Sequence, residues 1–322
     1  MLSRRSALAA LPASLLSRAA LAQSAWPSRA INIIVPFGPG GGTDILARLL
    51  AQHLAPALGQ SVVVDNRAGA TGTVGMAALA RSRPDGYTLA VAPNGTFAMA
   101  PPLLSLPYDN DRAFAPIGLL ATNAMFVCVH PQAPWRSLAE LLDAARAQPG
   151  QLTYASSGAG ATNHLGVELM LDMSGTQMTH VSYRSAAQAA QAVMTREAAI
   201  SLADAAVALP YLRSGELRAL AVTSVERSSK MPDVPTVAEG GLAGYRATVD
   251  LGLFAPAGTP QPILDRLADE ARRAMLSDEM KSRLDSLAMD AIGGRPAEFA
   301  AYQAGESRKW AELIRRRNIR LE

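Results

Sequence analysis

INIIVPFGPGGGTDILARLL, residues Ile31–Leu50, is the stretch from which the fold of this chain can be read. Ile31 to Phe37 is a short apolar, β-branched run, the pattern of a strand buried on both faces. Ile45, Leu46, Leu49 and Leu50 fall on one stripe of a helix. Between them lie Gly38, Gly40, Gly41 and Gly42, then Thr43 and Asp44 as candidate N-caps. Glycines let backbone approach a ligand closely, and a helix N-terminus with free N–H groups favours an anion. The stretch therefore predicts a strand–loop–helix unit that holds an anion, with Gly40, Gly41, Gly42, Thr43 and Asp44 at the site.

Two better-known glycine loops fit less well. A P-loop needs Lys followed by Ser or Thr after its glycines, and this loop ends Gly42-Thr43-Asp44. A dinucleotide fingerprint finds an acid in Asp65, after the strand Ser61–Val64, but lacks its third glycine. A tight turn without any ligand is the plain alternative.

The chain has 322 residues, 49% of them hydrophobic, enough for a sizeable core and, by size, two domains. Net charge is only +3, part of the excess falls in the first residues and in Arg315-Arg316-Arg317, and aromatics are few. Composition therefore argues against a nucleic-acid partner. Cys128 is the only cysteine, which excludes intrachain disulfides and cysteine-ligated metal clusters. His53, His130 and His180 show no metal-ligand spacing.

Arg4 and Arg5 precede an Ala/Leu-rich segment, Ala7 to Leu21, and Ala20-Leu21-Ala22 is a small-residue cleavage site. Residues 1–22 read as a signal peptide, which places the mature chain outside the cytoplasm. Ser3-Arg4-Arg5 is twin-arginine in type, although the bulky residue usual two places on is Ala7. No later segment is long and apolar enough to span a bilayer.

Further along, Asn66–Gly75 (NRAGATGTVG) is a second glycine-rich loop running into a helix that reaches Arg83. Tyr87–Pro93 is a strand ending at Asn94, Gly95 and Thr96. In an open α/β sheet the carboxyl ends of strands line the ligand crevice, so Asn66, Asn94, Gly95 and Thr96 are site candidates. Ile117–Val129 is an extended passage into a second βα series. Ser137 with Glu140 is a capping box. Strand Leu152–Ala155 then leads into SSGAGATNH, Ser156 to His164, placing Ser156, Ser157, Gly158, Thr162, Asn163 and His164 at a second helix entrance. Thr248–Ala255 is extended again and returns to the first unit.

Alternation of strands and helices implies parallel sheets. The expected architecture is two α/β domains, residues 23–122 plus 251–322 and residues 123–250, with extended crossovers near 121–126 and 247–253. Such a hinge suits closure around a small ligand.

Eight segments then match one family in order and spacing: WPSRAINIIVPFGPGGGTD, VVVDNRAGATGTVG, PDGYTLAVAPNGT, LTYASSGAGATNHL, THVSYRSAAQA, LPYLRSGELRALAVT, PDVPTVAEGGLAGY and LFAPAGTP. The chain resembles the solute-binding receptors of tripartite tricarboxylate transporters, the Bordetella uptake gene proteins. The resemblance implies a two-domain periplasmic-binding-protein fold, a type II Venus flytrap with parallel-rich sheets. It also implies a carboxylated ligand, delivery to membrane permease subunits, a monomer, and neither catalysis nor a cofactor.

Individual residues stay open between roles. Thr43 and Thr162 either meet ligand or cap their helices. Asn66 and Asn94 either meet ligand or hold turns. His164 either donates to a ligand or packs its helix. Tyr183 and Arg184 stand where the family has Tyr-Lys. The chain departs from the family at Arg196–Ala206, where Asp204 falls beside the polar pair that faces ligand in relatives, and at Asp250, where relatives carry a neutral residue. Two carboxylates at the cleft predict a ligand with a positive group beside its carboxylate, such as an amino acid or a nicotinate-like ring, since like charges about 4 Å apart repel by several kcal/mol at low dielectric. The alternative is that one or both acids cap backbone or pair with arginine. Rival functions are a ligand sensor for a membrane signalling partner and a hydrolase; Ala155-Ser156-Ser157-Gly158-Ala159 is no nucleophile elbow.

Overall fold

The computed structural model describes residues 26–321; the leader expected over residues 1–22 lies outside them. Strand β1 (Ile31–Val35) buries Ile31, Ile33, Ile34 and Val35. Each such side chain withdrawn from water contributes roughly 1.5–3 kcal/mol. Helix α1 (Gly42–Leu58) buries Leu46, Leu50 and Leu54 and stops at Gly59, whose φ of 68° is comfortable only for a residue without Cβ. Then follow β2 (Val62–Asn66), α2 (Thr73–Ala80), β3 (Thr88–Pro93), one π-helical turn at Gly95–Met99, and β4 (Phe114–Asn123).

After Ala124 alone the chain enters a second sheet with β5 (Met125–Val129). It continues through α3 (Leu138–Ala147), β6 (Thr153–Ser156), α4 (Thr162–Ser174), β7 (Thr179–Ser182), α5 (Ala186–Met194), β8 (Ile200–Asp204), α6 (Ala205–Ser214) and β9 (Arg218–Val222). Strand β10 (Val249–Pro256) returns to the first sheet, followed by α7 (Gln261–Leu276), α8 (Asp278–Ser286), β11 (Asp290–Ala291) and α9 (Pro296–Arg316).

The two sheets follow one plan. The first has the order β2-β1-β3-β10-β4-β11, the second β7-β6-β8-β5-β9. In each, three strands joined by helices run parallel, as β1 does with β2 and β3, and β6 with β7 and β8. Next to them lies a strand that has just crossed from the other sheet, β10 or β5, and it pairs antiparallel on both sides. The sheets are therefore mixed. Helical connections make the parallel pairs, and the crossings add the antiparallel ones that βα alternation does not foretell.

Helix starts also differ from the reading of the sequence. The N-cap of α1 is Gly41 and that of α4 is Ala161, neither with a side-chain cap, so Thr43, Asp44 and Thr162 lie inside the first turns. The reason is local: Asp44 turns its carboxylate back onto the Gly40 N–H, 2.9 Å away, and draws the loop into the helix. Helix α2 stops at Ala80, short of Arg83.

One hydrophobic cluster runs through both sheets. It includes Ile34, Phe97 and Phe254 of the first unit, Leu165, Ile200 and Leu202 of the second, and Trp310 and Leu313 of α9. The C-terminal helix thus packs on the first sheet and touches the second unit as well.

Candidate functional site

Strand order 2-1-3 places a switch point beside the central parallel strand of each sheet, where helices leave to opposite faces. The carboxyl ends of β1 and β3 meet those of β6 and β8 around a cavity of about 390 Å³. From β1 and its loop come Phe37, Gly41, Thr43 and Asp44; from the loop after β2, Thr71; after β3, Pro93 and Gly95. The other unit supplies Ser157, Gly160, Ala161, Thr162 and Asn163 after β6, and Asp204 at the end of β8. Val249 of the returning strand completes the wall. The units meet closely here, since a methyl group on Gly95 would lie 3.4 Å from the Thr162 hydroxyl.

Asp44 lines this cavity, yet its carboxylate is fully occupied. One oxygen accepts from the Gly40 N–H (2.9 Å) and Arg48 Nε (3.0 Å). The other accepts from Asn66 Nδ2 (2.9 Å) and pairs with the Arg48 guanidinium (3.0 Å). The Arg48 hydrogen bond leads in holding the Asp44 carboxyl down to about 2, so it is ionised at neutral pH. Asn66 also donates to the Phe37 carbonyl and accepts from Arg48. Asp44 and Asn66 therefore set the shape of the first glycine loop.

The second loop is held in a matching way. Asn163 Oδ1 accepts from the Ser157 N–H (3.3 Å) and hydroxyl (3.1 Å), and His164 Nδ1 accepts from the Gly160 N–H (3.1 Å). Beneath the loop, Ser156 Oγ lies 2.6 Å from His180 Nε2, and the His164 and His180 rings stand 4.2 Å apart. Burial, with His180 beside it, pushes His164 down to about 4, so it stays neutral and able to accept. Buried Ser156 is not presented to the cavity, so its contact with His180 is structural.

With those bonds made, the first three N–H groups of α1 and of α4 have no partner further back in their own helices. Both helix ends open on the cavity, bare of side-chain caps. Among the described residues, the Thr43, Thr71 and Thr162 hydroxyls and Asn163 Nδ2 carry no other hydrogen bond. Thr71 is held at φ 55° between Gly69 and Gly72, a left-handed backbone uncommon outside glycine, with its carbonyl fixed by the Thr96 hydroxyl at 3.0 Å.

Asp204 is the exception to this economy of acids. It is the N-cap residue of α6 but its side chain makes no capping bond, and it faces the cavity without a hydrogen-bond partner among the described residues. Burial alone pushes its carboxyl up to about 6.

Asp250 is placed elsewhere than its sequence position suggests. Almost wholly buried outside the cavity, it accepts from Thr122 (2.6 Å), Thr248 (2.9 Å), Asn94 (3.1 Å), Arg246 (3.0 Å) and Tyr302. Thr122 belongs to β4 and Tyr302 to α9, so Asp250 ties together both crossing strands and the last helix. Of the two outcomes open for this acid, the structure gives pairing with arginine. Asn94, which also donates to the Thr248 carbonyl at 2.8 Å, belongs to the same knot.

The remaining candidates divide as follows. Gly41, Thr43, Gly95, Ser157, Thr162 and Asn163 line the cavity with Asp44 and Asp204; Thr96, Ser156, Gly158 and His164 stand behind it. Gly40 and Gly42 line a neighbouring groove with Arg213 and Lys230. Tyr183 points to Glu197, away from the site. Sequence reasoning overlooked Phe37, Thr71, Pro93, Gly160, Ala161 and Val249. All but Val249, which opens the returning strand, lie in or beside the glycine-rich segments, so the segments were visible and only the inward-facing members were not. No group of three His, Cys, Asp or Glu able to hold a metal occurs among the described residues.

Two α/β units joined by paired crossing strands, with helix N-termini from both opening on one cavity, define a periplasmic-binding-protein type of receptor. The chain belongs to the tripartite tricarboxylate transporter family of receptors, whose family model matches residues 46–319. Proteins of this family and fold are solute receptors without enzymatic activity. Protein BugT of Bordetella pertussis is 32% identical over 92% of this chain and 92% of its own. An R. palustris protein solved with adipate is 31% identical, with a TM-score of 0.77 over 92% of this chain and 100% of its own. MatC from Rhodopseudomonas palustris, solved with bound malate, is also 31% identical, with a TM-score of 0.73 over 89% and 99%.

Proposed function

We propose that this protein captures a small carboxylated metabolite in the cavity between its two units and delivers it to the membrane subunits of a tripartite transporter. The observation that carries this reading is the pair of uncapped helix N-termini, α1 and α4, opening from opposite units on the same 390 Å³ space. Charge-assisted bonds from backbone N–H groups hold a carboxylate without a cationic side chain. The proposed contacts are the backbone at Gly41 and Gly95, with Thr43, Ser157, Thr162 and Asn163. Relatives solved with adipate and malate support the ligand class. The leader expected over residues 1–22 and the periplasmic relatives support action in the periplasm, and a cavity built by one chain supports a monomer.

Mass spectrometry of the protein purified without refolding, followed by calorimetry with the compound found, tests the reading. A stoichiometric carboxylate whose affinity falls about ten-fold or more in Thr43→Val and Thr162→Val supports it. A co-purifying ligand without a carboxylate would overturn it.

A further inference from the structure

The charge inventory of the cavity is one-sided. Of the residues that line it, only Asp44 and Asp204 are ionisable; no lysine, arginine or histidine faces it. Asp44 is neutralised by Arg48 and held by two further bonds, from Gly40 and Asn66. Asp204 has no such company. The positive ends of α1 and α4 and the hydroxyls beside them serve a carboxylate of the ligand, but no cationic side chain on the wall offsets Asp204. A dicarboxylate would have to bring its other carboxylate into a small, largely apolar space already holding an acid, where like charges repel strongly.

Resting on the receptor reading above, we infer that this cavity takes a zwitterion, a carboxylate with a cationic amino group, and that Asp204 is the specificity-determining residue that receives the cation. An N-cap aspartate ordinarily bonds the backbone N–H two or three residues on. Asp204 makes no such bond and lines the cavity instead. A ligand ammonium would give it the charge-assisted partner that the chain itself withholds. The position also has a structural logic: Asp204 ends β8 as Pro93 ends β3, so the two sheets offer the same place on the cavity wall, one neutral and one acidic. The ligand class this implies differs from the adipate and malate bound by two relatives.

The test uses matched pairs that differ only in the second group: L-aspartate against L-malate, L-glutamate against 2-hydroxyglutarate, 4-aminobutyrate against glutarate, 5-aminovalerate against adipate. Calorimetry on the wild-type protein is expected to show the amino member of at least one pair bound ten-fold or more tighter than its partner. In Asp204→Asn that preference shrinks by at least ten-fold, chiefly through weaker binding of the amino compound. Wild-type preference for the hydroxy or dicarboxylic member of every pair that binds overturns the inference and leaves the receptor reading standing. So does an unchanged preference in Asp204→Asn, or a nitrogen-free acid carried through purification at full occupancy. Failure of every compound to bind, with no carboxylate co-purifying, overturns both.

Discussion

Three aspartates, Asp44, Asp204 and Asp250, look alike in the sequence and differ entirely in what surrounds them. Asp44 and Asp250 are each met by several donors, and each fixes a loop or a crossing. Asp204 is met by none, which makes it costly to the folded chain when no ligand is bound. Its carboxyl, near 3.8 in the unfolded chain, is raised to about 6 in the fold. It is neutral in both states below 3.8. As pH rises from there through about 6, the folded state loses stability, because it must then hold an unpaired and poorly hydrated charge. Asp204→Asn is therefore expected to stabilise ligand-free protein on the order of 1–3 kcal/mol at pH 7.5, with little gain at pH 4. Thermal melts at the two pH values check this, and an equal gain at both would defeat it. That both Asp204 and Asp250 depart from the family pattern was legible in the sequence. Which of the two found partners was not, because Thr122 and Tyr302 reach Asp250 from distant parts of the chain.

Among the elements, α9 has the widest reach. It packs on β4 of the first unit, and just past its end Arg317 Nε meets Glu168 of α4 at 2.7 Å, while Arg316 meets Asp172 at 2.8 Å. These pairs are unequal. Glu168 is nearly buried, shared with the Tyr154 hydroxyl, whereas Arg316 is about half exposed. Removing Arg317 leaves a largely desolvated carboxylate with one partner, at about 1–3 kcal/mol. Removing Arg316 costs under about 1 kcal/mol, since exposed pairs are screened. Urea denaturation of Arg317→Ala and Arg316→Ala is expected to show that order, and equal effects would refute it. The helices and strands around these contacts were largely readable, because each announces itself locally: a buried β-branched run at β1, Gly59 after α1, Ser137 before α3. Contacts between α9 and α4 have no such local sign. Nor did the sequence betray the helix starts at Gly41 and Ala161, which depend on loop bonds from Asp44 and His164.

At the scale of the molecule, the two sheets are joined by more than their crossing strands. The pairs of α9 with α4 and the contact of Lys230 with Asp285 span them, and one apolar cluster runs through both. Units that share a core unfold together. Heating is expected to give one transition, coincident by near- and far-ultraviolet circular dichroism, with calorimetric and van't Hoff enthalpies in agreement; two resolved transitions would show that the units are independent. Resemblance to a two-unit receptor was plain from the glycine segments, but the degree of coupling depends on side chains far apart in the chain, such as Glu168 and Arg317.

Gly160, on the cavity wall, lies so near Leu321 and Leu103 that a methyl group added to it would stand 2.8 Å and 2.9 Å from their side chains. The tail of the chain is thereby pressed against the loop that frames the ligand. An affinity tag or fluorescent protein fused rigidly after Leu321 would lean on that loop and change what it reports, whereas the same graft, deliberately tensioned, would turn occupancy of the cavity into an optical signal.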